Sequence, residues 1–251
     1  MNVRGSVVAF TRIELLSVIF ILFLLGSVGT AFIGRSKQAK IAQCASNLEQ
    51  LGTGMSSYTR ENDSRLPFAY IQYTEWESVA WDGLIYPFVS SGCEISSSSL
   101  DKKYDLLRCP ADVGDRSRTY AMPQHDMSSA NWPPGSENRT SVGLWWSCWQ
   151  DGGNASLSYL LSHSESIPAV RLGMIRVPAD TLLLTEHASS ENSMFSYRGA
   201  TISGPSEHLD TKTSRVTRYH NGKFNYLMMD GHVELLLPTQ KQEMWTIWHN
   251  H

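Results

Sequence analysis

The sequence lacks the short motifs that mark several common enzyme classes. It has no G-x-S-x-G nucleophile elbow, no P-loop, no dinucleotide-binding fingerprint and no H-E-x-x-H pair. Charge is also scarce, since 18% of the 251 residues are Asp, Glu, Lys or Arg and the formal net charge is −3. A nucleic-acid partner would require a basic stripe, and none is present. We therefore predict that the protein is not an enzyme and has no nucleic-acid partner.

Cysteine is sparse, and its spacing does not match a metal-binding motif. None of the four cysteines forms a C-x2-C pair, so we predict no metal site. Four cysteines allow three disulfide pairings. A Cys93–Cys109 bond is favoured because both residues flank one loop, and buried free thiols are the alternative.

One long apolar run is present near the N-terminus, from Leu15 to Ile33. About 19 residues at 1.5 Å each give a helix of roughly 29 Å, which predicts a transmembrane segment. Glu14 precedes the run, and an acid within a membrane costs about 2.5 to 3.5 kcal/mol without a partner. Cleavage after Ala9 would place the new amine of Phe10 about 6 Å away along the helix axis. At an effective dielectric constant near 20, their attraction is roughly 3 kcal/mol.

These residues resemble the N-terminus of type IV prepilins and type II secretion pseudopilins. A short leader containing Arg4 is followed by F-T-x-I-E-L-L, which begins at Phe10, and then by the apolar run. The resemblance implies cleavage by prepilin peptidase between Ala9 and Phe10, N-methylation of Phe10, and subunit assembly through Glu14. Two departures affect processing: Ala9 stands where the family usually has Gly, and Arg12 where it usually has an apolar residue. A plain signal anchor and a secretory signal are the alternatives.

Beyond the apolar run, the sequence predicts an amphipathic continuation of the same helix. Its apolar positions follow a 3-4-3-4-3 spacing at Ile41, Cys44, Leu48, Leu51, Met55 and Tyr58. The stretch C-x-x-N-L-x-Q-L-G, which starts at Cys44, and the stretch C-P-x-D, which starts at Cys109, resemble patterns of one pilin-like subgroup.

A β-hairpin is predicted near residues 220–237. The run Phe224–Met229 is one strand, His232–Leu237 returns, and Asp230-Gly231 fits a type I′ turn. His220, nine residues and then Asp230-Gly231 match the H-x9-DG signature of the same pilin-like subgroup. We expect Asp230 to shape the turn and His220 to form a hydrogen bond across the hairpin. Binding of Ca²⁺ by His220 and Asp230 is the alternative.

Two other groups of side chains could bind or react. Trp145 and Trp146 could form a polysaccharide-binding platform, although such clusters more often belong to a core. Glu186 and His187 end a predicted buried strand, where we expect them to face solvent rather than to act in catalysis.

Taken together, the sequence predicts a pilin-like α+β fold with a long N-terminal helix, transmembrane in its first half, packed on a mainly antiparallel sheet. The predicted segments are a leader (1–9), a transmembrane half-helix (10–34), an extracytoplasmic amphipathic half-helix (35–63) and a globular head (64–251). The expected function is that of a pseudopilin-like subunit in a type II secretion or type IV pilus-like system. The alternative is a membrane-anchored binding module, for instance for polysaccharide. The expected location is the bacterial inner membrane, with one span and a periplasmic body. The expected partners are prepilin peptidase, other pilin-like subunits and a secreted cargo.

Overall fold

The structure, a computed structural model, describes residues 12–72, 78–89, 104–112, 118–126, 141–147, 170–187, 199–202, 204–209, 220–245 and 247. Side chains are described for most of these, with the longest exception at residues 24–36. The chain divides into two compact units, Met1–Ala39 and Lys40–His251.

Three helices and eight strands are present in the described residues. The helices are α1 (Arg12–Glu61), α2 (Trp81–Val89) and α3 (Pro205–Leu209). The strands are β1 (Tyr70–Gln72), β2 (Ser78–Ala80), β3 (Tyr120–Asp126), β4 (Gly143–Ser147), β5 (Leu182–Glu186), β6 (Thr201–Ile202), β7 (Phe224–Met228) and β8 (Val233–Leu236). Single 3₁₀ turns lie at Tyr104–Leu107, Leu172–Met174, Pro178–Asp180 and Gln242–Trp245.

The eight strands form one mixed sheet, in the order β2-β1-β4-β3-β5-β7-β8, with β6 paired to β3. Three pairings are parallel: β1 with β4, β3 with β4, and β3 with β6. The predicted mainly antiparallel sheet is therefore wrong. Turn residues such as Asp230-Gly231 reveal antiparallel neighbours along the chain, whereas parallel strands must pair across long connections that leave no local signal.

A membrane-spanning helix is not found among the residues that the structure describes, because none of their helices is both long and apolar enough. This finding overturns the predicted transmembrane half-helix at 10–34, the pilin-like fold class that contained it, and the single-pass inner-membrane location.

In the second unit, the predicted apolar stripe of α1 is the buried side of the helix. Leu48, Leu51 and Met55 are at most 1% exposed and belong to the same core cluster as residues of the sheet. The helix ends where the sequence indicates, since Asp63 and Ser64 follow it with left-handed φ values of 51° and 60°.

A buried ion pair joins α2 to the residue that leads into β3. The Arg118 guanidinium lies 2.8 Å from an Asp82 carboxylate oxygen, with both side chains fully buried. Burial lowers the pKa of Arg118, and the adjacent carboxylate opposes that change. Removal of one partner would leave a buried charge, which typically costs about 3 to 5 kcal/mol.

Candidate functional site

A disulfide joins α1 to the segment that precedes β3. Cys44 is bonded to Cys109, across 65 residues of sequence and a Cα–Cα distance of 4.9 Å. The predicted Cys93–Cys109 pairing is therefore wrong, and Cys93 lies outside the described residues. The positions of Cys93 and Cys109 on either side of one loop did not identify the correct pair. The apolar stripe of α1 brings Cys44 against Cys109 instead, and no local pattern in the sequence indicates this contact.

Asn47 fixes the approach of these two segments. Its side-chain amide donates hydrogen bonds to the backbone oxygens of Asp105 and Arg108, at 3.2 and 2.9 Å. Asn47 lies one helical turn after Cys44, and Arg108 directly precedes Cys109. The N of the C-x-x-N-L stretch thus holds the C-P-x-D stretch against α1.

His220 lies beside this disulfide and contacts Glu186. Its Nε2 is 2.9 Å from Glu186 Oε1 and 3.5 Å from Cys109 Sγ. The Glu186 side chain is fully buried, at the end of β5. The expectation that Glu186 and His187 face solvent is therefore wrong. His220 and, in β7, Asn225 contact the carboxylate of Glu186, and His187 is only 6% exposed.

Asn225 in β7 holds the carboxylate of Glu186. Its backbone N–H donates to Oε2 at 2.8 Å, and its side-chain amide donates to Oε1 at 3.0 Å. Both oxygens therefore have fixed donors, which offset part of the cost of burying a carboxylate.

A neutral histidine lies on the other side of Glu186. His208 Nε2 is 2.6 Å from the backbone oxygen of Glu186, and its Nδ1 is 3.1 Å from the Tyr226 hydroxyl. Burial, reinforced by the neighbouring His187, lowers the pKa of His208 to about 3, against the hydrogen bond to the Glu186 backbone. Near neutral pH, Nε2–H therefore donates to Glu186 and Nδ1 accepts from Tyr226.

The turn that carries His220 is left-handed. His220, Asn221 and Gly222 have consecutive positive φ values of 44°, 60° and 82°. Such values are uncommon for residues other than Gly, and His and Asn adopt them more readily than most. This turn places the His220 imidazole beside the disulfide rather than across the hairpin.

Asp230 and Gly231, the DG part of the H-x9-DG signature, lie away from His220 and the disulfide. His220 precedes the five-residue strand β7 and Asp230 follows it, so they lie at opposite ends of a strand roughly 17 Å long. They do not form one site, and the structure offers no shared position for Ca²⁺ between them.

Asp230 instead shapes the hairpin turn. It accepts hydrogen bonds from the backbone N–H of His232 at 3.2 Å and from His232 Nδ1 at 2.5 Å. Burial opposes the change, but these bonds lower the pKa of Asp230. Of Asp230 and Gly231, only Gly231 has a positive φ, 96°. The predicted two-residue type I′ turn is therefore wrong. The hairpin loop has three residues, and the last of them is Gly231, which has the left-handed conformation.

The N-terminal segment of α1 presents apolar side chains to solvent. Ala9 and Phe10 lie outside the described residues, and Glu14 lies in the first turn of α1. The side chains that follow are 46% to 79% exposed: Ile13, Leu15, Leu16, Val18, Ile19, Phe20, Ile21, Leu22 and Phe23. We call these nine residues the apolar segment.

Trp145 and Trp146 belong to β4, where they pair with Tyr70 and Ile71 of β1. Their side chains lie outside the described part of the structure, so the polysaccharide platform remains a sequence prediction.

Comparison with known proteins adds no relative: no protein-family model, curated protein or solved structure is similar to this chain. The prepilin and type II secretion assignments that the resemblance implies thus have no support from these comparisons.

Proposed function

We propose that the protein is a subunit of a type II secretion or type IV pilus-like system, and that it assembles with copies of itself through the N-terminal part of α1. The observation that carries the proposal is the apolar segment. Its nine large side chains occupy successive positions around the helix, and a continuous exposed apolar surface of this kind marks an interaction site.

The position of charge supports identical neighbours as the partner. Arg12 and Glu14, of opposite sign, stand at the start of the apolar segment, and the remaining residues to Phe23 are uncharged. Helices packed side by side would bury the apolar residues and keep these charges at one end. Each fully buried Leu, Ile or Phe contributes roughly 1.5 to 3 kcal/mol.

Substitution within the apolar segment should weaken assembly. We expect Phe20→Glu to reduce covalent multimers roughly 10- to 100-fold, because burial of Phe20 is replaced by burial of a carboxylate. The measurement is amine-reactive crosslinking of the full chain in cells, which Lys37 and Lys40 permit. Gln50→Glu, an exposed change on the same helix, is the matched control and should leave the multimers unchanged. Equal multimers in the Phe20→Glu variant would contradict the proposal.

Processing is a separate part of the proposal. The resemblance assigns cleavage after Ala9 and methylation of Phe10, and we expect mass spectrometry of the cellular protein to find a chain that starts with methylated Phe10. Glu14→Ala should leave that mass change in place and reduce the crosslinked multimers, because the resemblance assigns Glu14 to assembly. An intact Met1 on the assembled protein would refute the processing step.

A further inference from the structure

Four side chains with metal-binding atoms converge in the interior of the second unit. The sulfurs of Cys44 and Cys109, a carboxylate oxygen of Glu186 and a ring nitrogen of His220 all lie within 4.8 Å of one another, and all four residues are buried. We propose that, when the two cysteines are reduced, these four residues bind one zinc ion. We call them the tetrad. This inference goes beyond the assembly role and does not depend on it.

The donor set suits zinc. Two thiolates, one imidazole and one carboxylate are all ligands that zinc accepts, and four protein ligands make a closed, structural type of site. Two sulfurs argue against Ca²⁺ and Mg²⁺, which take oxygen ligands. With two thiolates and one carboxylate around Zn²⁺, the site would carry a net charge of about −1, far less than the three buried anions alone.

The distances fit a tetrahedral centre. Zinc–ligand bonds of about 2.0 to 2.3 Å place neighbouring ligand atoms roughly 3.3 to 3.8 Å apart. His220 Nε2 lies 3.5 Å from Cys109 Sγ and 2.9 Å from Glu186 Oε1, so these contacts change by at most about half an ångström. The sulfurs are bonded to each other, and separating them is the main rearrangement.

The surroundings already orient the ligands. Asn225 donates to both oxygens of Glu186, which is the kind of support that metal-binding carboxylates receive from neighbouring residues. The left-handed turn at His220-Asn221 aims the imidazole at the sulfurs, and backbone conformations of this kind concentrate at functional sites.

Zinc and the disulfide exclude each other. A cellular dithiol reduces the bond: two electrons and two protons pass to Cys44 and Cys109, and the dithiol becomes a disulfide. Zinc binding then releases both thiol protons to solvent. In the zinc-bound form, Nε2 of His220 carries no proton and binds the metal, while Nδ1 carries the remaining ring proton.

The test uses the full chain carrying Cys93→Ser and Cys148→Ser, so that only the tetrad cysteines remain. One sample is kept oxidised, and another is reduced with a phosphine and stripped with a chelator; both then receive Zn²⁺ or Co²⁺. We expect one zinc per reduced chain, two thiols protected from alkylation, and a thiolate-to-cobalt absorption band. The oxidised chain should bind less than a tenth as much.

His220→Ala should weaken zinc binding of the reduced chain at least tenfold, and His220→Cys, which restores a ligand, should recover part of it. His232→Ala, at the far end of β7, is the matched control and should bind as the parent does. The unsubstituted chain, oxidised and reduced, provides the same comparison if a variant fails to fold.

Two results would overturn the proposal. A reduced chain that keeps its circular dichroism spectrum but takes up no zinc would show that the tetrad is only a disulfide packed on a His–Glu pair. Equal uptake by oxidised and reduced chains would show an adventitious ion only.

Discussion

His208 shows how burial turns one residue into a source of pH dependence. Its imidazole is stacked on Phe224, with ring centroids 4.2 Å apart, and it is held by Glu186 and Tyr226. The folded chain lowers its pKa from 6.5 to about 3, chiefly by burial. Below pH 6.5 the unfolded chain therefore binds a proton at His208, whereas the folded chain does not bind it until the pH approaches 3.

The free energy of unfolding should consequently fall as the pH falls. His208 contributes no pH dependence above pH 6.5, and below it about 1.4 kcal/mol is lost per pH unit until pH 3 is approached. Urea unfolding between about pH 7 and pH 4 measures this slope. We expect His208→Gln to flatten the slope by up to that amount, whatever its effect on stability at pH 7.

His232→Gln serves as the comparison, because His232 and His208 contribute to the pH dependence of stability with opposite signs. Its hydrogen bond to Glu234 raises the pKa of His232, so its stabilisation is present below its unfolded pKa and is lost as the pH rises through the folded value. His232 is 40% exposed, so this effect stays within about 1 kcal/mol. Identical slopes for the parent and His208→Gln would rule out the role given to His208.

Glycine in α1 marks where another element approaches the helix. A Cβ on Gly54 would lie 2.3 Å from Val89 Cγ1 at the end of α2. The sequence indicates only that Gly54 lowers helix propensity by about 1 kcal/mol, and not that α2 needs the space. Propensity is local, whereas the close approach of α2 is a tertiary contact.

Gly54→Ala should therefore destabilise the protein although alanine favours helices. We expect a loss of up to about 2 kcal/mol, because overpacking costs about 1 to 3 kcal/mol and the gain in helix propensity returns about 1 kcal/mol. Val89→Ala should recover part of that loss in the double variant. Gly173→Ala, where a Cβ meets nothing within 4 Å, is the control and should be nearly neutral. Urea unfolding of the four proteins decides, and a Gly54→Ala variant more stable than the parent would contradict the packing argument.

Elements with a local signal were predicted correctly. The buried strand that ends at Glu186, the strands on either side of the DG turn, and the buried stripe of α1 all follow from periodicity. Parallel pairing in the sheet was missed, since it depends on residues far apart in sequence.

At the scale of the whole molecule, the sequence indicated residues of the candidate site but not that their side chains lie close together. Cys44, Cys109 and His220 each belonged to a stretch singled out by resemblance, and 65 or more residues separate them along the chain. Glu186 was considered but was expected to face solvent, because the sequence does not show whether a carboxylate that ends a strand will be buried by other elements. Spacing rules for zinc detect ligands that are close in sequence, and the tetrad has none.

The Cys44–Cys109 bond also determines how the second unit would respond to tension. The loop that it closes contains β1, β2 and α2. A force that pulls on the two ends of the chain passes through the bond, so those elements carry no load while it is intact. At about 3.5 Å per extended residue, roughly 220 Å of contour length is withheld from stretching. Cleavage of that one bond would release this length, so a subunit under tension would become extensible.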